Sequence, residues 1–188
     1  MNKRAAARVI SRLPGFRTLA PFYIGNCNRE VIAGYALDAP SGGLYISRFV
    51  LPAYDRISFL HLSLGKRIVQ VARSEDMSGV PDLDLQMKSD WEGFSKIRDS
   101  ESLVAYLDQE QVEGDYCQWA RYLTYVKAGD FESALGLESR LSSPNLPRVQ
   151  LVAQNMQAAL EAKAQFGWRG LRELLAKWSE LSVAKFCK

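Results

Sequence analysis

His61 is the single histidine among the 188 residues, so chemistry built on a histidine pair, including a His-rich metal site, is excluded. One histidine can still act as a general base. His61 lies in a strand-like pattern beside Phe59 and Leu62, however, where a core or half-buried histidine is the ordinary outcome. A Ser, His and acid triad lacks a nucleophile elbow, since no G-x-S-x-G occurs. Carboxylates gather at Asp76, Asp82, Asp84 and Asp90, and hard divalent cations take clustered carboxylate oxygens. A solvated acidic loop has the same composition, and no metal is expected. Cys27, Cys117 and Cys187 are odd in number and widely spaced, which fits neither a disulfide framework nor a zinc motif and reads as three free thiols. Gly42 and Gly43 are not followed by the G-K-[ST] of a phosphate loop, and no G-x-G-x-x-G opens a helix, so neither familiar nucleotide route nor any other cofactor is expected. With no catalytic, cofactor-binding or metal-binding residue to assign, the expectation leans to a non-enzymatic protein.

Charge is more informative. Residues 1–73 carry eleven Lys or Arg against three acids, residues 74–144 six against fifteen, and residues 145–188 seven against three, so a net charge of +3 conceals regions near +8, −9 and +4. The first 29 residues hold Lys3, Arg4, Arg8, Arg12, Arg17 and Arg29 with no acid. Arg4, Arg8 and Arg12 recur at i, i+4 and stack along one helical face. Such a stripe can neutralise phosphates, which is the main source of non-specific nucleic-acid affinity, it can sit on an anionic surface, or it can belong to a mitochondrial-type presequence. The plainer alternative is a docking helix that buries Ala5, Val9, Ile10 and Leu13 and leaves its arginines solvated or paired with the acidic middle of the same chain.

These groups have to be positioned by the elements around them. An apolar share of 47% with 24% charged residues is that of an ordinary globular chain long enough to bury a core. The opening helix should stop before Pro14 and Gly15. The apolar period then shortens to two, and the runs Val31 to Leu37, Leu44 to Val50, Ile57 to Leu64 and Arg67 to Ala72 predict antiparallel strands joined as a meander, with a turn at Asp38 to Gly43. Leu44, Ile46 and Val50 share a face with Arg48, while Tyr45, Ser47 and Phe49 lie opposite, so both faces of this strand should be packed. The N-terminal helix and the C-terminal helices are the candidates to cover them. Residues 74–99 form an acidic connector with a short helix around Trp91.

Helices follow: one capped by Ser100, one started by a capping-box-like pair Asp115 and Gln118, one capped by Asp130 and closed by Ser142, Ser143 and Pro144. Two longer ones run from Val149 to Gly167 and through Trp168, Leu171, Leu175, Trp178 and Leu181. The class is α+β, an N-terminal helix and antiparallel β-meander followed by an all-helical half of antiparallel helical hairpins. The organisation expected is 1–73, 74–99 and 100–188, together one composite domain. No apolar run approaches bilayer length, and Ser11, Arg12 and Pro14 interrupt the best signal-like stretch, so a cytoplasmic location is expected.

Tyr125, Gly129, Asp130, Phe131 and Ala134 resemble the middle of a tetratricopeptide repeat over about twenty residues, with bulky Tyr122 at a position usually small and no second copy at a period near 34. The resemblance implies a helical hairpin and a bias toward peptide-binding grooves. Pro81, Asp82, Gln86 and Lys88 are similar in layout to a restriction-type nuclease site, though too close together to reach adjacent strands. Trp91, Trp119, Trp168 and Trp178 read first as packing and not as a base-stacking platform. The function expected is binding of another macromolecule, first a protein partner, as an interaction or adaptor module of a multi-component assembly. The alternative is a nucleic-acid-binding protein using Lys3, Arg4, Arg8, Arg12 and Arg17, and the third a small hydrolase or nuclease using His61 or the Asp82 and Asp84 pair.

Overall fold

A computed structural model of the chain describes residues 3–40, 43–72, 82–141 and 150–188. The elements in order are α1 (Lys3–Ser11), β1 (Arg17–Leu19), β2 (Phe22–Cys27), β3 (Val31–Asp38), β4 (Gly43–Pro52), β5 (Lys66–Ala72), α2 (Leu83–Phe94), α3 (Ser100–Gln109), α4 (Asp115–Ala128), α5 (Phe131–Leu141) and α6 (Gln150–Phe186). The five strands form one antiparallel sheet in sequence order, so the class is α+β and the sheet is a meander, as the short links require. Two strands differ from expectation. Arg17–Leu19 and Phe22–Cys27 add an antiparallel pair at the front of the sheet, with Tyr23 opposite Tyr35 in the next strand. Ile57 to Leu64 is not a strand, because its backbone groups are satisfied locally: the Ile57 N–H bonds to the Asp55 carbonyl, the Ser63 N–H to His61 Nδ1 and the Gly65 N–H to the Leu62 carbonyl. Alternation predicted a ladder that those turns pre-empt.

The chain divides into two compact units: Met1–Cys27, Ile32–Val50 and Leu60–Ile97 in the first, Asn28–Val31, Leu51–Phe59 and Arg98–Lys188 in the second. In the first, α1 and α2 cover one face of the sheet. Ala6, Ile10, Leu13, Leu83 and Met87 meet Tyr35, Leu37, Leu44, Ile46, Val69 and Val71. The side-chain period of two puts Arg48 on this same face, as the sequence predicts. There Arg48 Nη1 lies 3.2 Å from Asp90 Oδ1 of α2, and the Tyr35 hydroxyl donates to Asp90 Oδ2 at 2.7 Å. Phe16 stacks on Tyr35 at 5.6 Å and Trp91 meets both rings edge-on, sheltering the polar group. The expected helix around Trp91 is therefore a real element, and its anchor to the sheet is ionic as well as apolar.

In the second unit α4 lies beside α3, α5 and α6. Asp99, not Ser100, caps α3, exchanging bonds with Ser102 in a capping box, and Gly114 precedes α4 without a side-chain cap, so Asp115 and Gln118 form no box. The link between α4 and α5 has the chemistry the sequence suggests. Gly129 is left-handed (φ 84°), the Gly129 and Asp130 N–H groups close the end of α4 on Val126 and Tyr125 carbonyls, and Asp130 Oδ1 accepts from the Ser133 N–H to start α5. Ser142 to Val149 lie outside the described residues. The last element is broken at Gly167 (φ 66°, ψ −163°) into helical arms over 150–166 and 168–186, which matches two successive helices. Both arms feed one core, with Val152, Met156, Ala159, Leu171, Leu175 and Trp178 packed with Tyr54, Trp119, Tyr122, Leu123, Val126 and Leu141. Leu135 and Leu181 were expected in these stripes and are instead exposed.

Cys117 is a buried free thiol, but Cys27 and Cys187 are disulfide-bonded, which corrects the expectation of three free thiols. Among the described residues no helix is long and apolar enough to cross a membrane. Asp90→Ala removes the acceptor of a buried hydroxyl and the partner of a mostly buried guanidinium, so it should cost about 2–4 kcal/mol, and Asp90→Asn, which keeps an acceptor for Tyr35, about half that. Urea unfolding with an unchanged m-value measures it; equal losses for the two variants would show that the Tyr35 bond contributes nothing.

Candidate functional site

The residues proposed from sequence do not converge. Asp82 caps α2 through the Leu85 N–H, Asp84 pairs with Lys88 on the next turn at 2.5 Å, and Asp90 is taken by Tyr35 and Arg48. Asp76 and Pro81 lie outside the described residues. His61 is held by burial at a pKa of about 4, so it is a weak base at neutral pH. Among the described residues no group of three His, Cys, Asp or Glu side chains could hold a metal ion.

The basic front fares differently. Lys3, Arg4, Arg8 and Arg12 are exposed, while Arg17 is half-buried in β1 opposite Ile24. α1 docks through Ala6 and Ile10, with Ala5 exposed and Val9 half-buried. The acids of the middle region pair elsewhere: Asp84, Asp90, Asp108 and Glu138 with Lys88, Arg48, Arg121 and Lys163. Lys3, Arg8 and Arg12 make no ion pair among the described residues.

Sequence reasoning missed a polar network in the second unit. Asp55 is 3% exposed, and its carboxylate accepts from the Tyr116 hydroxyl at 2.9 Å and Asn155 Nδ2 at 2.8 Å. The Trp119 indole N–H is buried beside it without an aligned acceptor, its dipole still favouring the charged carboxylate. The Ser182 hydroxyl donates to the Asp55 carbonyl at 3.0 Å. Nearby, Thr124 Oγ1 donates to the Ala120 carbonyl, which leaves the Tyr54 hydroxyl as donor to Thr124 at 2.8 Å. Burial pushes the Asp55 carboxyl up, and its hydrogen bonds hold it partly down. Nothing about an Asp in a turn after Pro52 signals this; the donors come from positions 61 and 100 residues later in the chain.

The surface of that unit offers a second feature, at the break in α6. Phe166 is 70% exposed, immediately before Gly167. Beyond the break Arg169, Arg172, Glu173 and Lys177 line the exposed side of the C-terminal arm, opposite the buried Leu171, Leu175 and Trp178. Two open depressions flank the Arg169 and Glu173 pair. One, of about 610 Å³, is walled by Ala162, Phe166, Leu174 and Lys177, and the other, of about 520 Å³, by Lys127, Phe131, Trp168 and Arg172. The Trp168 ring stacks on Phe131 at 4.7 Å and carries the Lys163 ammonium at 4.1 Å. Such an arrangement can seat an apolar side chain next to cations.

Fold and surface together define an α+β protein whose helical unit exposes an aromatic side chain beside basic ones. No known family model, curated protein or solved structure matches the chain. The stretch that carries the tetratricopeptide resemblance folds as the hairpin of α4 and α5.

Because the folded-state pKa of Asp55 lies above its unfolded value, the protonated form is favoured by folding, and that contribution is present at acid pH and lost as pH rises through the raised value. Asp55→Asn, which cannot ionise, should therefore gain in Tm relative to the natural chain as pH goes from about 4 to 8. Asp55→Ala leaves two buried donors without an acceptor and should lose about 2–4 kcal/mol. A Tm difference between Asp55→Asn and the natural chain that is flat across pH contradicts the raised pKa.

Proposed function

We propose that this chain is a non-enzymatic, macromolecule-binding protein, an interaction or adaptor module of a multi-component assembly, and that it engages a protein partner at the break in α6. One observation carries this: Phe166, 70% exposed and the most exposed of the large apolar side chains described, stands beside a depression. Holding a large aromatic in water has a free-energy cost that burial in a partner recovers, and aromatic and arginine side chains are the residues that most often dominate interface energetics. Scattered exposed apolar residues are ordinary. Phe166 differs in its company, since Arg169 and Lys177 stand around the same depression. A cytoplasmic setting was the expectation from sequence; the disulfide-bonded Cys27 and Cys187 weigh toward an oxidising one.

A photo-crosslinking residue at position 166 tests the proposal in native lysate treated with nuclease. A discrete protein adduct formed from position 166, and not from an equally exposed control at Thr18, is expected. The same adducts from both positions, or none from 166, reject it.

A second reading is nucleic-acid binding through α1, favoured by the exposed row of Lys3, Arg4, Arg8 and Arg12, in which Lys3, Arg8 and Arg12 make no ion pair among the described residues. If both contact phosphates, Arg8→Glu with Arg12→Glu should reduce the slope of log affinity against log salt on duplex DNA by about 1.8. Filter binding across a salt series measures this, and an unchanged slope removes α1 from any such interface.

A further inference from the structure

The break in α6 also specifies what kind of partner would fit, on the condition that the protein-binding reading is right. On the C-terminal arm Arg169, Arg172 and Lys177 fall within an arc of about 140° and span about 12 Å of helix axis. Arg172 and Lys177 are exposed and make no ion pair among the described residues. Arg169 pairs with Glu173 at 3.0 Å, but the two side chains are 90% and 67% exposed, so water screens the pair and a partner's carboxylate can replace it. Lys127 and Lys163 differ: they are held by Glu30 and Glu138 and are less exposed, so they shape the wall and do not add recruitable charge. The row from Arg169 to Lys177 therefore carries three cations against one acid, Glu173, with Glu180 exposed on the same arc just beyond it.

The aromatic groups decide between polyanions. A single-stranded nucleic acid needs open ring faces on which bases stack. Trp168 is already engaged, stacking on Phe131 and carrying the Lys163 ammonium. Phe166 offers apolar area next to Ala162 and Leu174, which suits an aliphatic or aromatic side chain. Glu173, midway along the row, would also repel a continuous phosphate backbone while leaving room for separate carboxylates.

We infer that this face binds an acidic protein segment with two or three carboxylates distributed over about 12 Å, roughly two helical turns, and at least one bulky apolar residue that packs on Phe166.

Fluorescence anisotropy with the full-length protein tests this. The probe is a labelled peptide of about 15 residues with Leu or Phe at every third or fourth position and Asp or Glu elsewhere. Three comparison probes accompany it: the same peptide with Lys for each acid, the same with Ser for each apolar residue, and an oligothymidylate of equal length. The acidic, apolar-bearing peptide should saturate at micromolar Kd or about that at low salt, weaken as salt rises, and exceed all three comparisons. Arg172→Glu with Lys177→Glu should weaken it at least about tenfold, and Phe166→Ala by about tenfold. Arg8→Glu with Arg12→Glu should leave it unchanged. All the substituted side chains are exposed, and circular dichroism and Tm equal to the natural chain confirm that each variant is folded.

Equal binding of the Ser-substituted peptide or the oligothymidylate would overturn the inference in favour of a generic polyanion surface. Binding of the Lys peptide, or no saturation by the acidic one, overturns it outright. The crosslink from position 166 separates the two levels. A protein adduct with no acidic-peptide binding leaves the protein-binding reading standing and removes the acidic chemistry, whereas absence of both removes the two together.

Discussion

The carboxylate of Asp55 is almost wholly out of water, and the helical unit is arranged around supplying it with donors. Tyr116 at the start of α4 and Asn155 in the first arm of α6 reach it from elements far apart in sequence, and Ser182 in the second arm holds its backbone carbonyl. A buried carboxylate left unmet costs several kcal/mol. The segment Leu51–Phe59 must therefore sit where all three elements meet, and both arms of α6 are tied to it. Ser179 bonding to the Arg29 carbonyl, and Ser100 and Lys127 both reaching Glu30, fix the companion segment Asn28–Val31 in the same way. Apolar burial supplies the driving force in this unit; the polar contacts select which packing is adopted.

The sheet unit solves a similar problem with a charge pair. Arg48 is forced onto the covered face by the period of β4, where an unpaired guanidinium would be costly. Asp90 on α2 meets it, and Tyr35 meets Asp90. The basic front and the acidic middle are thus joined within this unit at Arg48 and Asp90. Several acids of the middle region are engaged singly, by Arg48, Lys88, Arg121 and Lys163, and two positive rows remain in water, one on α1 and one on the last arm of α6.

Much of the fold was legible because local rules coincide with global ones. The stop before Pro14, the meander, the Gly129 and Asp130 link and the break at Gly167 each follow from turn chemistry or backbone sterics. Errors fell where a local pattern was ambiguous. Ile57 to Leu64 alternates like a strand, but side-chain and turn acceptors take its N–H groups first. Arg17 to Cys27 is too rich in Gly, Asn and Pro to read as strands, and pairs because Tyr23 faces Tyr35. Leu135 and Leu181 carry the right residue type on the wrong arc of their helices. The candidate site at the break in α6 was not read from the sequence, because Phe166, Arg169 and Arg172 belong to no motif and only their placement brings them together.

Composition, period and turn residues are properties of neighbours along the chain, so the sequence by itself determined the α+β class, the helical back half and its hairpin link, and the regional charges. Which buried charges are answered and which aromatics stay in water depend on residues brought together from distant parts of the chain, 42 positions for Arg48 and Asp90 and 100 for Asp55 and Asn155. Only the tertiary structure decided that Asp90 answers Arg48, that Tyr116 and Asn155 answer Asp55, and that Phe166 stands exposed beside Arg169 and Lys177. The physical reason is that desolvation acts on the local surroundings in space, and a side chain's neighbours in space are not written in its neighbours in sequence.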